Sequence, residues 1–239
     1  MEEWMQRTSL LVGEQEITRL QHCNVLVVGV GGVGAYAAEM LVRAGVGRMT
    51  IIDSDNVTPS NINRQLIALH STIGKSKVEV LSQRLLDINP ALQLSARQEY
   101  VEVESVETLL QDGYDYVVDA IDTIAPKVAL LATCLQRGIS VVSSMGAGAR
   151  KDPSHIRYAD LADTCHCGLA RAVRTRLRKM GIKKPLPVVF TTEIPLAHAV
   201  QEVEGERNKR TTVGTISYMP AIFGCYLAAH VINKLTEND

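Results

Sequence analysis

Ten consecutive residues constrain this chain more than any others: Val25-Leu-Val-Val-Gly-Val-Gly-Gly-Val-Gly34. An apolar run of this kind fits a strand buried on both faces of a parallel sheet. The glycines then each have a separate task. Gly29 permits a tight turn, Gly31 (with Gly32 beside it) lets backbone approach a phosphate, and Gly34 lets the following helix, 35–44, pack against the strand. That helix start offers unpaired N–H groups and a partial positive charge to an anion. The motif alone leaves open whether the phosphorylated ligand is a dinucleotide or ATP.

The 239 residues suit one α/β domain, and 46% hydrophobic content suits a globular one. A net charge of −1 supplies no global field for nucleic acid, so any RNA contact must come from a local patch. The five cysteines are scattered and odd in number, and the acidic start Met1-Glu-Glu-Trp-Met lacks the apolar core of a signal peptide. The expectation is a cytoplasmic protein without disulfides or a membrane anchor. The apolar stretch 219–235, broken by His230, Asn233 and Lys234, is too short to span a membrane and reads as a docked C-terminal helix.

Apolar periodicity and breakers predict alternating strands and helices. Strands are expected at 24–28, 49–53, 94–101, 114–120 and 140–144. Helices are expected at 14–21, 35–44 (stopped by Gly45), 75–89 (ended by Pro90) and from about Pro126 onward. Segment 56–71 reads as loop or short helix. Past Gly148, strands near 156–158 and 188–192 flank a basic helix, 171–180. The alternation implies an α/β, Rossmann-like, mostly parallel sheet with helices on both faces and right-handed crossovers, plus a C-terminal extension. We read 1–239 as a single domain, with 1–150 the nucleotide-binding core and 151–239 a substrate-side extension and final helix.

Three features bear on the nucleotide. Asp53 ends the second strand nineteen residues after Gly34, where a carboxylate can accept ribose hydroxyls of NAD or ATP alike. Ser60-Asn-Ile-Asn-Arg-Gln65 and Gly74-Lys-Ser-Lys77 follow, so Arg64 and Lys77 can reach the phosphates held by the glycine loop. A triphosphate losing pyrophosphate needs such extra cations and a dinucleotide seldom does. Asp119-Ala-Ile-Asp122 ends the next strand, where a carboxylate can hold Mg²⁺. Each has a bland alternative: solvated cations for Arg64 and Lys77, helix capping for the aspartates. Their order, one after each successive strand, favours ATP.

GVGGVG, Asp53-Ser-Asp55, SNINRQ, GKSK and DAIDT together resemble the ubiquitin-activating-enzyme-like superfamily, which includes the ThiF and MoeB adenylyltransferases. The resemblance spans roughly the first 150 residues and implies activation of a carboxylate by AMP transfer. It assigns Gly29, Gly31, Gly32 and Gly34 to backbone contacts with ATP, and Asp53 with Asp55 to the ribose side. It assigns Asn61 or Asn63, Arg64 and Lys77 to the phosphates, and Asp122 to Mg²⁺. It also implies a homodimer in which an N-terminal arginine, here Arg7, reaches the partner's ATP. Beyond the core, Gly146-Ala-Gly148, Asp152-Pro153, Asp160-Leu-Ala162 and Val189-Phe-Thr-Thr-Glu193 resemble the branch that dehydrates threonylcarbamoyladenosine beside the anticodon of tRNA. There, adenylation of the threonine carboxylate is followed by ring closure. A sulfur-relay protein is a further candidate partner under that resemblance.

The chain departs from its relatives in two places. The paired CxxC motifs that hold structural zinc in ThiF- and MoeB-type enzymes are missing, which counts against activation of a ubiquitin-like sulfur carrier. No cysteine occurs in 210–217, before the final helix, so a thiol intermediate there is not expected. Cys165-His-Cys167 supplies at most three metal ligands at strained spacing and is read as loop cysteines at a helix start. The dense basic run Arg171, Arg174, Arg176, Arg178, Lys179, Lys183 and Lys184 is either a solvated face or a grip on tRNA phosphates beside the active edge. An NAD-dependent oxidoreductase lacks an evident proton donor here, and a nucleotide sensor has less need of Arg64, Lys77 and Asp122.

Overall fold

Three neighbouring strands finish level with one another, and this places the site. In the computed structural model, which describes residues 2–202 and 211–236, Val28 pairs with both Ile52 and Asp119. The residues that follow each strand therefore emerge together at one sheet edge.

A turn at Glu3–Met5 leads into α1 (Gln6–Val12) and α2 (Glu14–His22). Then follow β1 (Asn24–Val28), α3 (Gly34–Ala44), β2 (Arg48–Ile52), α4 (Lys77–Ile88) and β3 (Gln93–Arg97). Next come α5 (Val106–Leu109), β4 (Tyr116–Asp119), α6 (Ile124–Arg137) and β5 (Val141–Ser144). The remainder is β6 (Ile156–Asp160), α7 (Gly168–Lys179), β7 (Pro187–Thr191), the hairpin β8 (Val200–Glu202) and β9 (Thr211–Val213), and α8 (Tyr218–Thr236). Seven strands form one sheet in the order β3-β2-β1-β4-β5-β7-β6. All its pairings are parallel except the antiparallel pairing of β6 with β7 at the edge.

Alternation along the strands divides the core between two faces. Val25 and Val27 join α3, α4 and α8 on one side, through Leu41, Leu81 and Phe223. Leu26 and Val28 join α6 and α7 on the other, through Leu131 and Val173. The expected mostly parallel sheet, covered on both faces, is what forms, and the apolar stretch near the C-terminus is a helix docked on α3. Among the described residues no helix is long and apolar enough to cross a membrane.

Several elements differ from the sequence reading, which did not include α5 or the β8–β9 hairpin. The strand expected at 94–101 stops at Arg97, where its one partner strand β2 ends at Ile52; residues 99–104 leave the sheet and wall a cleft. Helix α1 carries no signal in the sequence, for its Leu10 and Leu11 are 83% and 85% exposed and supply no core periodicity. The basic helix runs 168–179 and starts at the active edge, where a Cβ on Gly146 would lie 3.4 Å from Cys167 Sγ. It then runs away from that edge, so its C-terminal cations are not beside it.

Candidate nucleotide site

From β1 the chain crosses to β2 on one side, while β4 lies on the other. In open α/β sheets such a reversal opens a crevice at the C-terminal ends of the strands. Here that crevice is a cleft of about 960 Å³.

The glycine loop is shaped by its surroundings. Gly29 has a φ of +85°, and a Cβ on Gly34 would lie 1.8 Å from the Gly29 carbonyl oxygen. Only a residue without a side chain allows α3 to begin so close to the end of β1. A Cβ on Gly31 would meet nothing nearer than Gln65 Nε2 at 3.6 Å, so internal packing does not demand glycine there. Gly31 and Gly32 line the open side of the cleft, whereas Gly34 sits behind the loop.

Asp53, the first residue past β2, ties the loop down. Its Oδ2 accepts from Val30 N at 2.8 Å and its Oδ1 from Asp55 N at 2.9 Å. Lys77, in the first turn of α4, is 5% exposed; its Nζ lies 2.7 Å from Asp55 Oδ2 and 3.8 Å from Asp53 Oδ1. Burial pushes the Asp53 carboxyl above its usual range, although Lys77 and the two backbone donors oppose it. The result is a buried cation with two carboxylates at the cleft base, rather than a solvated lysine.

Arg64 spends Nη1 on Ser60 O and Asn63 Oδ1, both at 2.9 Å, and lines the cleft. Asn61 also lines it, but its Oδ1 caps the Pro59–Asn61 turn by accepting from Thr58 N at 3.1 Å. Asn63 is not itself a cleft residue but braces two that are, donating from Nδ2 to Thr215 O at 3.0 Å and accepting from Arg64 at Oδ1. The two aspartates at the end of β4 separate: Asp122, past the strand, lines the cleft, while Asp119, its last residue, is fully buried against Lys127. Neither caps α6, whose N-cap position is Thr123.

Arg7 is exposed on α1 and does not line this cleft. Cys167 is the N-cap of α7, its Sγ accepting from Ala170 N at 3.4 Å, and Cys165 is exposed. Among the described residues no three His, Cys, Asp or Glu side chains form a metal cluster. Within the segment 210–217, residue 210 lies outside the described residues.

Sequence reasoning missed two parts of the wall. Residues 99–104 carry Glu99, Glu102 and Glu104 into the cleft; the sequence reading placed 99–101 in a strand and left 102–104 unassigned. Gln65, 8% exposed, lines the cleft with an unpartnered Oε1. Its position next to Arg64 was the available signal.

A glycine turn into a helix, an acid past the second strand and a cleft at the switch point define a Rossmann-like α/β protein. The chain belongs to the ThiF family, whose pattern matches residues 5–239. It is 38% identical over 239 residues to the tRNA threonylcarbamoyladenosine dehydratase of Bacillus subtilis (97% of this chain, 94% of the relative). It is 34% identical over 252 residues to that of Escherichia coli (97% and 94%). The crystal structure of the E. coli dehydratase in complex with ATP superposes with a TM-score of 0.89 at 35% identity, covering 98% of this chain and 96% of the other.

Proposed function

We propose that this chain is an ATP-dependent tRNA threonylcarbamoyladenosine dehydratase. Near-full-length similarity to proteins of that name supports the reading. The observation that carries it is the convergence of Asp53, Arg64, Lys77 and Asp122 on one cleft beside the glycine loop.

ATP lies along Gly29, Gly31 and Gly32, its ribose toward Asp53 and Asp55. Arg64 and Lys77 face the phosphates, Lys77 exchanging part of its pairing with Asp55 for phosphate oxygens. The threonine carboxylate, ionised at neutral pH, attacks the α-phosphorus without a general base, and pyrophosphate leaves. The carbamoyl group of the same side chain then attacks the acyl carbon. AMP departs with one carboxylate oxygen and a proton is released, so the nucleoside loses the elements of water. Asp122 offers a hard oxygen ligand suited to Mg²⁺, which supplies charge neutralisation on the phosphates when bound. Asn61 and Asn63 shape the loop that carries Arg64, and Gly34 sets the helix behind it.

In this reading residues 1–239 act as one adenylating domain, 1–150 holding the nucleotide and 151–239 the substrate side. The protein works in the cytoplasm as a homodimer, with Arg7 reaching the partner's ATP. Trp4 in the first turn and Leu10 and Leu11 on α1, exposed by 40%, 83% and 85%, support an interface at this end of the chain. A sulfur-relay protein is an accessory partner that takes no step in the chemistry above.

The test incubates tRNA bearing threonylcarbamoyladenosine with the protein and ATP·Mg²⁺ and weighs the digested nucleosides by mass spectrometry. ATP-dependent loss of one water is expected. An unchanged mass, with pyrophosphate exchange only when a ubiquitin-like carrier is added, transfers the assignment to carrier activation.

A further inference from the structure

Beyond the nucleotide held by the glycine loop, Arg64 and Lys77, this cleft is a poor place to attract a nucleic-acid backbone. Six acids line it (Asp53, Asp55, Glu99, Glu102, Glu104 and Asp122) against two bases, Arg64 and Lys77. A nucleic-acid substrate must be held elsewhere while its reacting side chain enters.

A second cavity, of about 450 Å³, has the opposite character. Arg174, Arg178, Lys183 and Lys184 line it, from a stretch (171–184) with seven basic residues and no acidic one. Its one acid, Asp160, is already committed: Oδ1 accepts from Ala162 N at 2.7 Å and Oδ2 from Leu186 N at 2.8 Å. Two of the cations are held from behind. Arg174 Nη1 donates to Leu161 O, Thr164 O and Thr164 Oγ1, and Lys184 Nζ donates to Leu135 O at 2.8 Å. Arg178 and Lys183 are exposed and carry no such tie among the described residues. Of the basic run, Arg174 is therefore spent on bracing the 161–164 turn.

Cations in a last helical turn also offset the helix dipole, but that effect fades within one turn. Lys183 and Lys184 lie beyond α7 altogether. Four cations outnumber the single carboxylate of Asp160 in this cavity, so they repel one another unless a further anion shares it. The cavity lies at the sheet edge opposite the cleft, because Asp160 pairs with Pro187 at the start of β7. Twelve residues of α7 separate the two edges, about 18 Å. That exceeds the ~8 Å Debye length, so the acids of the cleft are screened from the cavity.

We propose that this notch anchors the phosphodiester backbone of the tRNA about one helix length from the reacting base. The inference rests on the dehydratase reading and deepens it by naming where the polyanion is gripped.

The test uses the full chain with Arg178→Glu and Lys183→Glu combined, and a second variant with Gln at both positions. Binding of tRNA bearing threonylcarbamoyladenosine is titrated by fluorescence anisotropy across a salt series. The Kd is expected to rise at least about 10-fold in the Glu variant, less in the Gln variant. The slope of log Kd against log salt should flatten by about 2, one for each phosphate no longer neutralised. ATP affinity and Tm should stay at wild-type values. A folded Glu variant with wild-type affinity and salt slope overturns the proposal. Nucleoside mass spectrometry keeps the two readings apart. Wild-type protein that dehydrates its tRNA while the variant retains KM removes the notch alone. Wild-type protein that binds tRNA through the notch without dehydrating it removes the dehydratase reading alone.

Discussion

Lys127 Nζ lies 2.7 Å from Asp119 Oδ2, and both side chains are fully buried. The pair ties three elements and the loop between two of them together. Asp119 ends β4, Ser143 of β5 donates to the same carboxylate oxygen at 2.6 Å, and Lys127 projects from α6. Lys127 also donates to Ile121 O at 3.0 Å, while Ile121 N donates back to Asp119 Oδ1 at 3.1 Å. The loop held in this way presents Asp122 to the cleft.

Removing one partner leaves the other charge buried alone. Lys127→Met should destabilise the protein by about 3–5 kcal/mol, read as a lower urea midpoint with little change in slope. Combining Lys127→Met with Asp119→Leu should recover much of that loss. A single variant as stable as wild type would show that the pair does not hold the loop.

Lys77→Met and Asp122→Asn test the chemistry. Each is expected to lower ATP-dependent pyrophosphate release by about 100-fold or more, the usual cost of losing one charge stabiliser in a phosphoryl-transfer site. Near-ultraviolet circular dichroism should still report native packing. Full turnover by Lys77→Met would remove it from the mechanism.

Glu39 joins α3 to α4 and controls the acid limit of stability. Burial pushes its carboxyl up, but hydrogen bonds from Arg84 and Arg43 outweigh that and hold it below its usual value. A lowered folded pKa stabilises above the unfolded value of about 4.3 and is lost as pH falls through the folded value. Glu39→Gln should therefore be less stable than wild type at pH 7. The two Tm values should converge as pH drops below 4. A constant difference across that range would assign the effect to packing instead of charge.

Leu10→Asp combined with Leu11→Asp tests the proposed homodimer. Both side chains are exposed, so the fold should survive and Tm at low protein concentration should change little. Sedimentation velocity should show wild type as a dimer and the variant as a monomer. A monomeric wild type would also remove Arg7 from the partner's site.

The local signals in this sequence were strong where one residue type has few alternatives. Gly45 stops α3 at a φ of +107°, and the Gly29–Gly34 spacing allows β1 to turn directly into α3. The apolar run of β1 and the valine pairs of β4 and β5 are in strands buried along nearly their whole length. Segment 99–104 was illegible because alternating Val and Glu describes a half-buried strand and a cleft wall equally well. Asp119 and Asp122 were indistinguishable as letters three apart, yet one is buried in an ion pair and the other faces the cleft.

Periodicity, glycine placement and breaker residues thus determined, by themselves, the alternating α/β order and the loop that opens toward a ligand. Those properties depend on local backbone sterics and side-chain period, which neighbouring residues specify. Tertiary structure alone decided the partners. It buried Lys77 between Asp53 and Asp55, turned Asn63 toward Thr215, and carried the C-terminal cations of α7 to the edge opposite the cleft. Each of these depends on strand order and helix direction across the sheet, where residues far apart in the chain meet, and spacing along the chain does not encode that distance.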